Sequence, residues 1–198
     1  MAKKDIQIAI KKVKSLKKNM ESIDDIGRGV ITQTIKDTAM RAPAQVTKAV
    51  TTAYTIKSAE VRNAAKIISD QYGNMSIVYS GRPLTLTHFQ MTPKARPEGG
   101  KKYKVRATIV RGQKREFPKA FLASAGSAGT VQLPFQRKGD TRYPIEAIKR
   151  TSIPQMIEDD KPPVREDIRQ KIDELMSGRL DHHVARGQKK IDKLKKSL

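Results

Sequence analysis

Apolar residues recur in steps of three or four along the start of the chain, from Ile6 to Val30. The mean step is about 3.5 residues, the spacing of a helical stripe that packs against another helix. Lysines crowd the other faces of this helix. Two interpretations bury the same stripe: a protruding arm that contacts a second subunit, or an amphipathic helix folded onto its own domain. This N-terminal stripe of the predicted arm, residues 1–40, consists of Ile6, Ile10, Val13, Leu16 and Met20.

Glycine and proline divide the helical region that follows. Gly27 and Gly29 weaken the helix and predict a kink. Pro43 is placed to open a second helix in its first turn. Ser58 is placed to cap a third helix that continues as far as Ile68. The sequence therefore predicts long N-terminal helices that are broken into several segments.

Beyond Met75 the apolar positions alternate with polar ones, which is typical of half-buried strands. Turns rich in glycine and proline separate the candidate strands. These candidates cover residues 84–91, 103–109, 117–123 and 131–135, with turns at 93–100, 111–113 and 124–129. The pattern predicts one antiparallel sheet of about four strands, which is a common sheet size.

A final helix is predicted from the proline pair at residues 162–163, because proline suits a first helical turn and the acidic residues after it favour a helix N-terminus. Gly178 and Gly187 are expected to interrupt this helix, and a basic tail follows it. The predicted fold class is thus α+β, with long N-terminal helices, a central antiparallel sheet and a C-terminal helix. The predicted segments are a basic arm at residues 1–40, a core domain at 41–156, and a helix with a basic tail at 157–198.

The charge balance is strongly basic, with 41 lysines and arginines against 20 acidic residues and a net charge of +21. Such a surface favours nucleic acid, an acidic protein surface or an anionic membrane as a partner. No apolar run approaches the roughly 18 residues of a membrane span, so no membrane partner is expected. The lack of cysteine excludes disulfides, thiol chemistry and cysteine-based zinc sites.

Residues able to carry out catalysis do not form a recognisable motif. Residues 125–129 lack the spacing of a nucleophile elbow, and residues 99–102 lack the glycine and hydroxyl of a phosphate-binding loop. His88 is isolated, whereas the adjacent His182 and His183 point apart on a helix, so all three are interpreted as surface or core residues. We expect no catalytic residue, metal, cofactor or small-molecule substrate.

Four segments of the chain match a known family in pattern and order. They read Lys-Ala-Val-Thr-Thr-Ala-Tyr-Thr-Ile-Lys-Ser at 48–58, Lys-Ala-Phe-Leu-Ala at 119–123, Tyr-Pro-Ile at 143–145 and Ser-Ile-Pro-Gln-Met at 152–156. In these segments the chain resembles the minor tail protein Z, or tail-completion, family of long-tailed bacteriophages. The resemblance implies a structural virion protein of the tail or neck that is assembled in the host bacterial cytoplasm and is not an enzyme.

The same resemblance implies a homo-oligomer, a hexameric ring at the head-proximal end of the tail that helps to join tail to head. Its expected partners are the tail terminator or tail tube and the head–tail connector proteins. We expect the N-terminal stripe to form the contact between subunits, and a second set of residues to dock on a neighbouring ring. The docking residues are Tyr143, Ile145, Ile153, Pro154, Gln155 and Met156. In the alternative interpretation, Ile153 and Met156 plug the sheet.

Nonspecific contact with packaged DNA is a further expectation, because phosphate contacts need only basic side chains. The candidate residues are Lys11, Lys12, Lys14, Lys17, Lys18, Lys189 and Lys190. These lysines can equally well solvate two long helices. The competing hypothesis for the whole chain is a nonspecific basic DNA-binding protein, although aromatic residues make up only 5% of it, which leaves little for stacking on bases.

Overall fold

The computed structural model describes residues 2–69, 75–100, 102–125 and 131–196, with side chains described from residue 21 onward except at residues 22 and 100. The chain divides into two compact units. The first unit consists of Met1–Arg41, Ser69–Ser76 and Ile172–Leu198. The second unit consists of Ala42–Ile68 and Ile77–Lys171.

Four α-helices are present in the described part of the chain. In the described residues they are α1 (Ala2–Ala53), α2 (Ser58–Asn63), α3 (Ile153–Glu158) and α4 (Val164–Lys196). Two short 3-10 turns cover Leu86–His88 and Glu98–Gly100. The second of these turns contains Gly99 with a φ of 70°, a conformation that favours glycine.

The predicted division of the N-terminal region into several helices is wrong. Gly27, Gly29 and Pro43 all lie inside α1, so Pro43 does not open a new helix. Proline removes one backbone hydrogen bond from a helix interior. Here its neighbours Ala42 and Val46 are buried, 2% and 3% exposed. Packing of this buried face stabilises the helix more than the local residue preferences weaken it.

The other predicted helix boundaries are right in part. Helix α2 begins at Ser58, but the predicted cap is wrong, because Lys57 is the N-cap residue and no side chain caps the helix. The helix ends at Asn63, because Ile67 and Ile68, which are β-branched, lie in a strand instead. The predicted interruptions of the last helix are wrong, since α4 continues through both of its glycines, Gly178 and Gly187. That helix is present and begins at Val164, but the proline pair lies in the turn before it and not in its first helical turn.

The strands form three small antiparallel sheets among the described residues, so the expectation of one sheet of about four strands is wrong. The sheets are β1–β2, β3–β4–β5 and β6–β7–β8. The strands are β1 (Ala65–Ser69), β2 (Met75–Tyr79), β3 (Gln90–Thr92), β4 (Val105–Thr108), β5 (Lys114–Phe117), β6 (Ala120–Ala125), β7 (Val131–Arg137) and β8 (Ile145–Ala147). Alternation in the sequence identifies a half-buried strand, but it does not say which strand pairs with it.

The core of the second unit joins the two three-stranded sheets. Its central cluster contains Leu86, Met91, Val105, Ala107, Leu122 and Ile148, each at most 5% exposed. In the β6–β7–β8 sheet, Phe121 lies opposite Phe135 in the register of β6 and β7, and their rings stack with centroids 6.3 Å apart. Burial of these side chains is the main term that stabilises the unit.

The segment at residues 152–156 starts helix α3 with a capping box. The Ser152 backbone N–H donates to the Gln155 side-chain oxygen over 2.9 Å, and the Gln155 backbone N–H donates back to the Ser152 hydroxyl over 3.4 Å. Pro154 lies in the first turn, where it leaves no hydrogen bond unmade. Ile153 and Met156 then point into the core, 5% and 0% exposed.

A buried hydrogen bond ties the residue after α1 to the residue after α3. The hydroxyl of Tyr54, which is 1% exposed, donates to a carboxylate oxygen of Asp159. Burial, and then the bond to Asp159 and its charge, raise the pKa of Tyr54 above its ordinary value. The phenol therefore stays a neutral donor throughout the physiological range of pH.

Candidate interaction surfaces

Helices α1 and α4 pack against each other in the first unit as an antiparallel pair. His183 of α4 lies beside Asp37 of α1, with Nε2 and Oδ2 3.1 Å apart. One turn further along α4, Gly187 lies against Val30 and Ile26 of α1. Residue numbers therefore increase along α4 while those of the contacting residues decrease along α1, which shows that the two helices are antiparallel. His183 is 7% exposed, in agreement with its interpretation as a core residue.

The pair of Asp37 and His183 in this seam favours the ionised form of the Asp37 carboxyl group. The hydrogen bond from His183 lowers the pKa of Asp37, and the charges of His183, Arg41 and Arg179 lower that pKa further, while partial burial opposes them. A carboxyl group whose folded-state pKa is lowered stabilises the fold above its unfolded-state value, near 3.8 here. That contribution is lost as the pH falls from 3.8 through the lower folded-state pKa.

Gly187 lets the two helices approach each other closely. A Cβ atom placed on it would lie 2.9 Å from Val30 Cγ2 and 3.3 Å from Ile26 Cγ2. Both neighbours are β-branched and therefore stiff. The glycine that was expected to break α4 instead lets α1 pack directly on its backbone.

Two alanine substitutions in the same helix are expected to act in opposite directions. Gly187→Ala overpacks the seam at a cost of about 1–3 kcal/mol, more than the gain in helix propensity of about 1 kcal/mol. Gly178→Ala meets nothing within 4 Å and should stabilise the helix by about 0.5–1 kcal/mol. Urea unfolding followed by helical circular dichroism measures both. Equal stabilisation by the two variants would contradict the close packing at Gly187.

One side of the helix pair carries a groove of about 460 Å³, lined by charged, polar and apolar residues. Asp25, Gly29 and Gln33 line it from α1, and Arg186 and Lys190 line it from α4. The groove thus carries charges of both signs. Lys190, one of the expected DNA-facing residues, lies at this groove, and the neighbouring Lys189 is exposed.

The same two helices also expose apolar side chains. Ile31 and Ile35 are one turn apart on α1, and Met176, Leu180 and Val184 are successive turns of one stripe on α4. These five residues remain 38% to 59% exposed. We call them the apolar face. Large apolar side chains clustered at this exposure are typical of a surface that another protein covers.

The five residues of the apolar face lie on one side of the helix pair. In an antiparallel pair, the residue that follows an inward-facing residue is rotated toward the same side in both helices. Ile31 and Ile35 follow Val30 and Thr34, and Met176, Leu180 and Val184 follow Leu175, Arg179 and His183. The groove lies on the opposite side, since Gly29 and Arg186 precede inward-facing residues. The apolar face and the groove therefore lie on opposite sides of the pair.

Comparison with known protein families decides what kind of protein carries these surfaces. The model of a family described as prophage minor tail protein Z (GPZ) matches residues 4–191. The chain belongs to the prophage minor tail protein Z family. The resemblance seen in the sequence is thereby confirmed. No curated protein and no solved structure matches the chain.

Membership of the minor tail protein Z family makes the chain a structural protein of a phage tail. Within the described ranges there is no cluster of three or more residues able to hold a metal ion. His88 forms an isolated pair with Glu60, with Nδ1 and Oε2 2.6 Å apart. No helix in the described part of the chain is apolar enough over its length to cross a membrane.

The N-terminal stripe of this minor tail protein Z lies within α1. The side chains of Ile6, Ile10, Val13, Leu16 and Met20 are outside the described part of the chain, so their contact with a second subunit stays a prediction. The same holds for the DNA-facing candidates Lys11, Lys12, Lys14, Lys17 and Lys18.

The expected ring-docking residues of this minor tail protein Z separate into two groups. Tyr143 is 65% exposed and Gln155 is exposed, whereas Ile145 and Pro154 are half-buried. Ile153 and Met156 lie in the interior and are closed to a partner while the unit is folded. Their burial favours the alternative interpretation, in which these two side chains fill the core. Docking through the exposed residues stays a prediction.

Sequence reasoning did not single out the apolar face. The spacing of Met176, Leu180 and Val184 was visible as a helical stripe, but periodicity alone does not separate a covered stripe from an exposed one. A helix pair buries only a narrow seam. Met176 is therefore exposed, although the preceding residue, Leu175, faces the seam. The exposure became visible once the register of the two helices was known.

Proposed function

We propose that this protein is a tail-completion or neck component that forms a ring at the head-proximal end of the phage tail and helps to join tail to head. The ring is a homo-oligomer, and hexameric symmetry matches the sixfold rings of such tails. Its partners are the tail terminator or tail tube on one side and the head–tail connector on the other. Its action is assembly without catalysis.

The observation that carries the proposal is the apolar face in a member of a tail protein family. Two packed helices bury the seam between them and leave their sides exposed to water. Burial of the exposed apolar residues is favourable, and it requires a partner that covers them. A closed ring provides each copy with the same two neighbours. Identical copies can therefore cover such a surface without a further kind of protein.

The basic charge fits a position around DNA. A net charge of +21 is tolerated where packaged DNA passes through a channel, and Lys189 and Lys190 are exposed on α4. Such contacts depend on phosphate and not on base sequence. They are incidental to assembly in this proposal.

Salt dependence separates this proposal from a nonspecific DNA-binding protein. A dedicated DNA-binding protein that makes six to ten phosphate contacts binds tightly at 50 mM salt, and its affinity falls by about 10³–10⁵ when the salt is raised to 200 mM. From the proposed tail protein we expect weaker binding near 150 mM salt, with a Kd on the order of 10⁻⁴ M or higher, at or beyond the weak end of nonspecific DNA binding. Fluorescence anisotropy with a labelled duplex measures it. Nanomolar binding at that salt would favour the DNA-binding function.

Complementation of defective particles tests the proposed function. A prophage with an early stop codon in this gene is expected to produce filled heads and separate tails, which fail to join. Purified protein added to the mixed lysate is expected to restore joined particles, counted by negative-stain microscopy. Joined particles in the absence of the protein would contradict the proposal.

A further inference from the structure

We propose that the apolar face of one copy receives the N-terminal stripe of a neighbouring copy. This inference rests on the proposed ring and extends it by naming both halves of the contact between subunits. The donor is the stripe of residues 6–20, and the acceptor is formed by Ile31 and Ile35 of α1 with Met176, Leu180 and Val184 of α4.

The shape of the acceptor suits a helix. The five acceptor residues flank the α1–α4 seam on one side, so they form the walls of a shallow groove between two antiparallel helices. A third helix packs into such a groove by presenting apolar residues three and four positions apart. The N-terminal stripe has this spacing over its whole length. The donor and acceptor thus satisfy the same packing rule.

The continuity of α1 identifies a second copy as the donor. Residues 6–20 and the acceptor residues Ile31 and Ile35 belong to one helix, Ala2–Ala53. A continuous helix cannot turn back to cover its own side, because its axis is rigid over a few turns. The stripe of the same chain therefore cannot reach this groove, whereas the identical stripe of another copy can.

Charge complementarity selects the same occupant. Residues 3–20 contain seven lysines and one aspartate. Residues 173–184 of α4 contain three acidic residues and one arginine, in a chain whose overall charge is +21. Asp173 is three residues before Met176, and Asp181 is three residues before Val184, so both exposed carboxylates lie beside the acceptor stripe. The lysines that flank the donor stripe meet acidic groups there.

The contact is head-to-tail, since its two halves are different surfaces. Each copy donates one stripe and accepts one, which closes into a ring when the rotation between copies divides a full turn.

Disulfide cross-linking tests the contact directly, because the chain contains no cysteine of its own. One copy carries Leu16→Cys, and a second copy with a different affinity tag carries Val184→Cys. A parallel mixture uses Ala185→Cys as the acceptor, an exposed position turned by about 100° from Val184 around the helix. A disulfide requires Cα atoms within about 7 Å, so it reports close contact. Tails assembled with each mixture are oxidised gently and analysed without reducing agent.

We expect a dimer that carries both tags from the Val184→Cys mixture, and at least tenfold less of it from the Ala185→Cys mixture. A second acceptor, Leu180→Cys, is expected to cross-link to Leu16→Cys or to its stripe neighbour Val13→Cys. Tails that contain the protein as a ring but give no cross-link at either acceptor, or equal cross-linking at Ala185, would overturn this inference and leave the ring standing. Tails that contain none of the protein would overturn the ring and the contact together.

Discussion

A chain carrying both Val13→Asp and Leu16→Asp is expected to fold normally but to be lost from phage particles. Two charged side chains on the N-terminal stripe would have to be buried against an apolar groove without partners, which is strongly unfavourable. A loss of about 3 kcal/mol in the contact already lowers incorporation by more than 100-fold. Immunoblots of gradient-purified particles measure the incorporated fraction.

The matched control changes the same charge on the other face of the helix. Ser15→Asp with Asn19→Asp also introduces two carboxylates in place of neutral residues, but both positions lie opposite the stripe. This control should enter particles normally. If the stripe instead packs on its own domain, the first variant will unfold at a lower urea concentration than the control. Normal incorporation of the first variant would rule out the stripe as the contact between subunits.

The second large effect concerns stability. Met156→Ser is expected to destabilise the second unit by about 2–5 kcal/mol, because it removes a fully buried side chain and leaves a cavity together with a buried hydroxyl. Ile153→Ser at 5% exposure should act in the same direction. Urea unfolding monitored by tyrosine fluorescence provides the free energy of unfolding.

An exposed residue of the same segment supplies the comparison. Tyr143→Ser, at a residue 65% exposed, should change the free energy of unfolding by less than about 0.5 kcal/mol. If residues 143–156 dock on a neighbouring ring, this variant lowers the yield of joined particles while it stays folded. A Met156→Ser variant that is as stable as the unmodified chain and fails only in joining would return Met156 to the docking surface.

The sequence predicted the elements better than their connections. The alternating pattern located β4, β6 and β7, and the family resemblance at residues 152–156 fell on the start of α3. The residues around 84–91 were expected to form a strand, but Leu86–His88 makes a 3-10 turn and only Gln90–Thr92 pairs with a neighbour. Strands this short are determined by their partners across the sheet, which a local pattern does not contain.

The helices illustrate the opposite error. Pro43 was expected to open a new helix, and Gly178 and Gly187 were expected to interrupt the last one, because proline and glycine weaken a helix interior. Inside this protein, tertiary contacts outweigh those preferences. Gly187 is the clearest case, since the lack of a side chain is what brings α1 within contact distance. A single sequence does not distinguish a glycine that breaks a helix from one that packs it.

The apolar face could be predicted only in its components. Its spacing on α1 and α4 is a helical one, but its exposure depends on which side of each helix meets the other. The His183–Asp37 pair and the contact at Gly187 set that register. Knowledge of the register then separates the five exposed apolar residues from the buried seam beside them.

The position of the protein in the particle tests the central claim most directly. Purified phage particles are labelled with a gold-conjugated antibody against this protein, and the site of the label is scored by electron microscopy. We expect label at the junction of head and tail. Label along the tail shaft or at its distal tip, or particles that stay unlabelled by an antibody that recognises the purified protein, would contradict it.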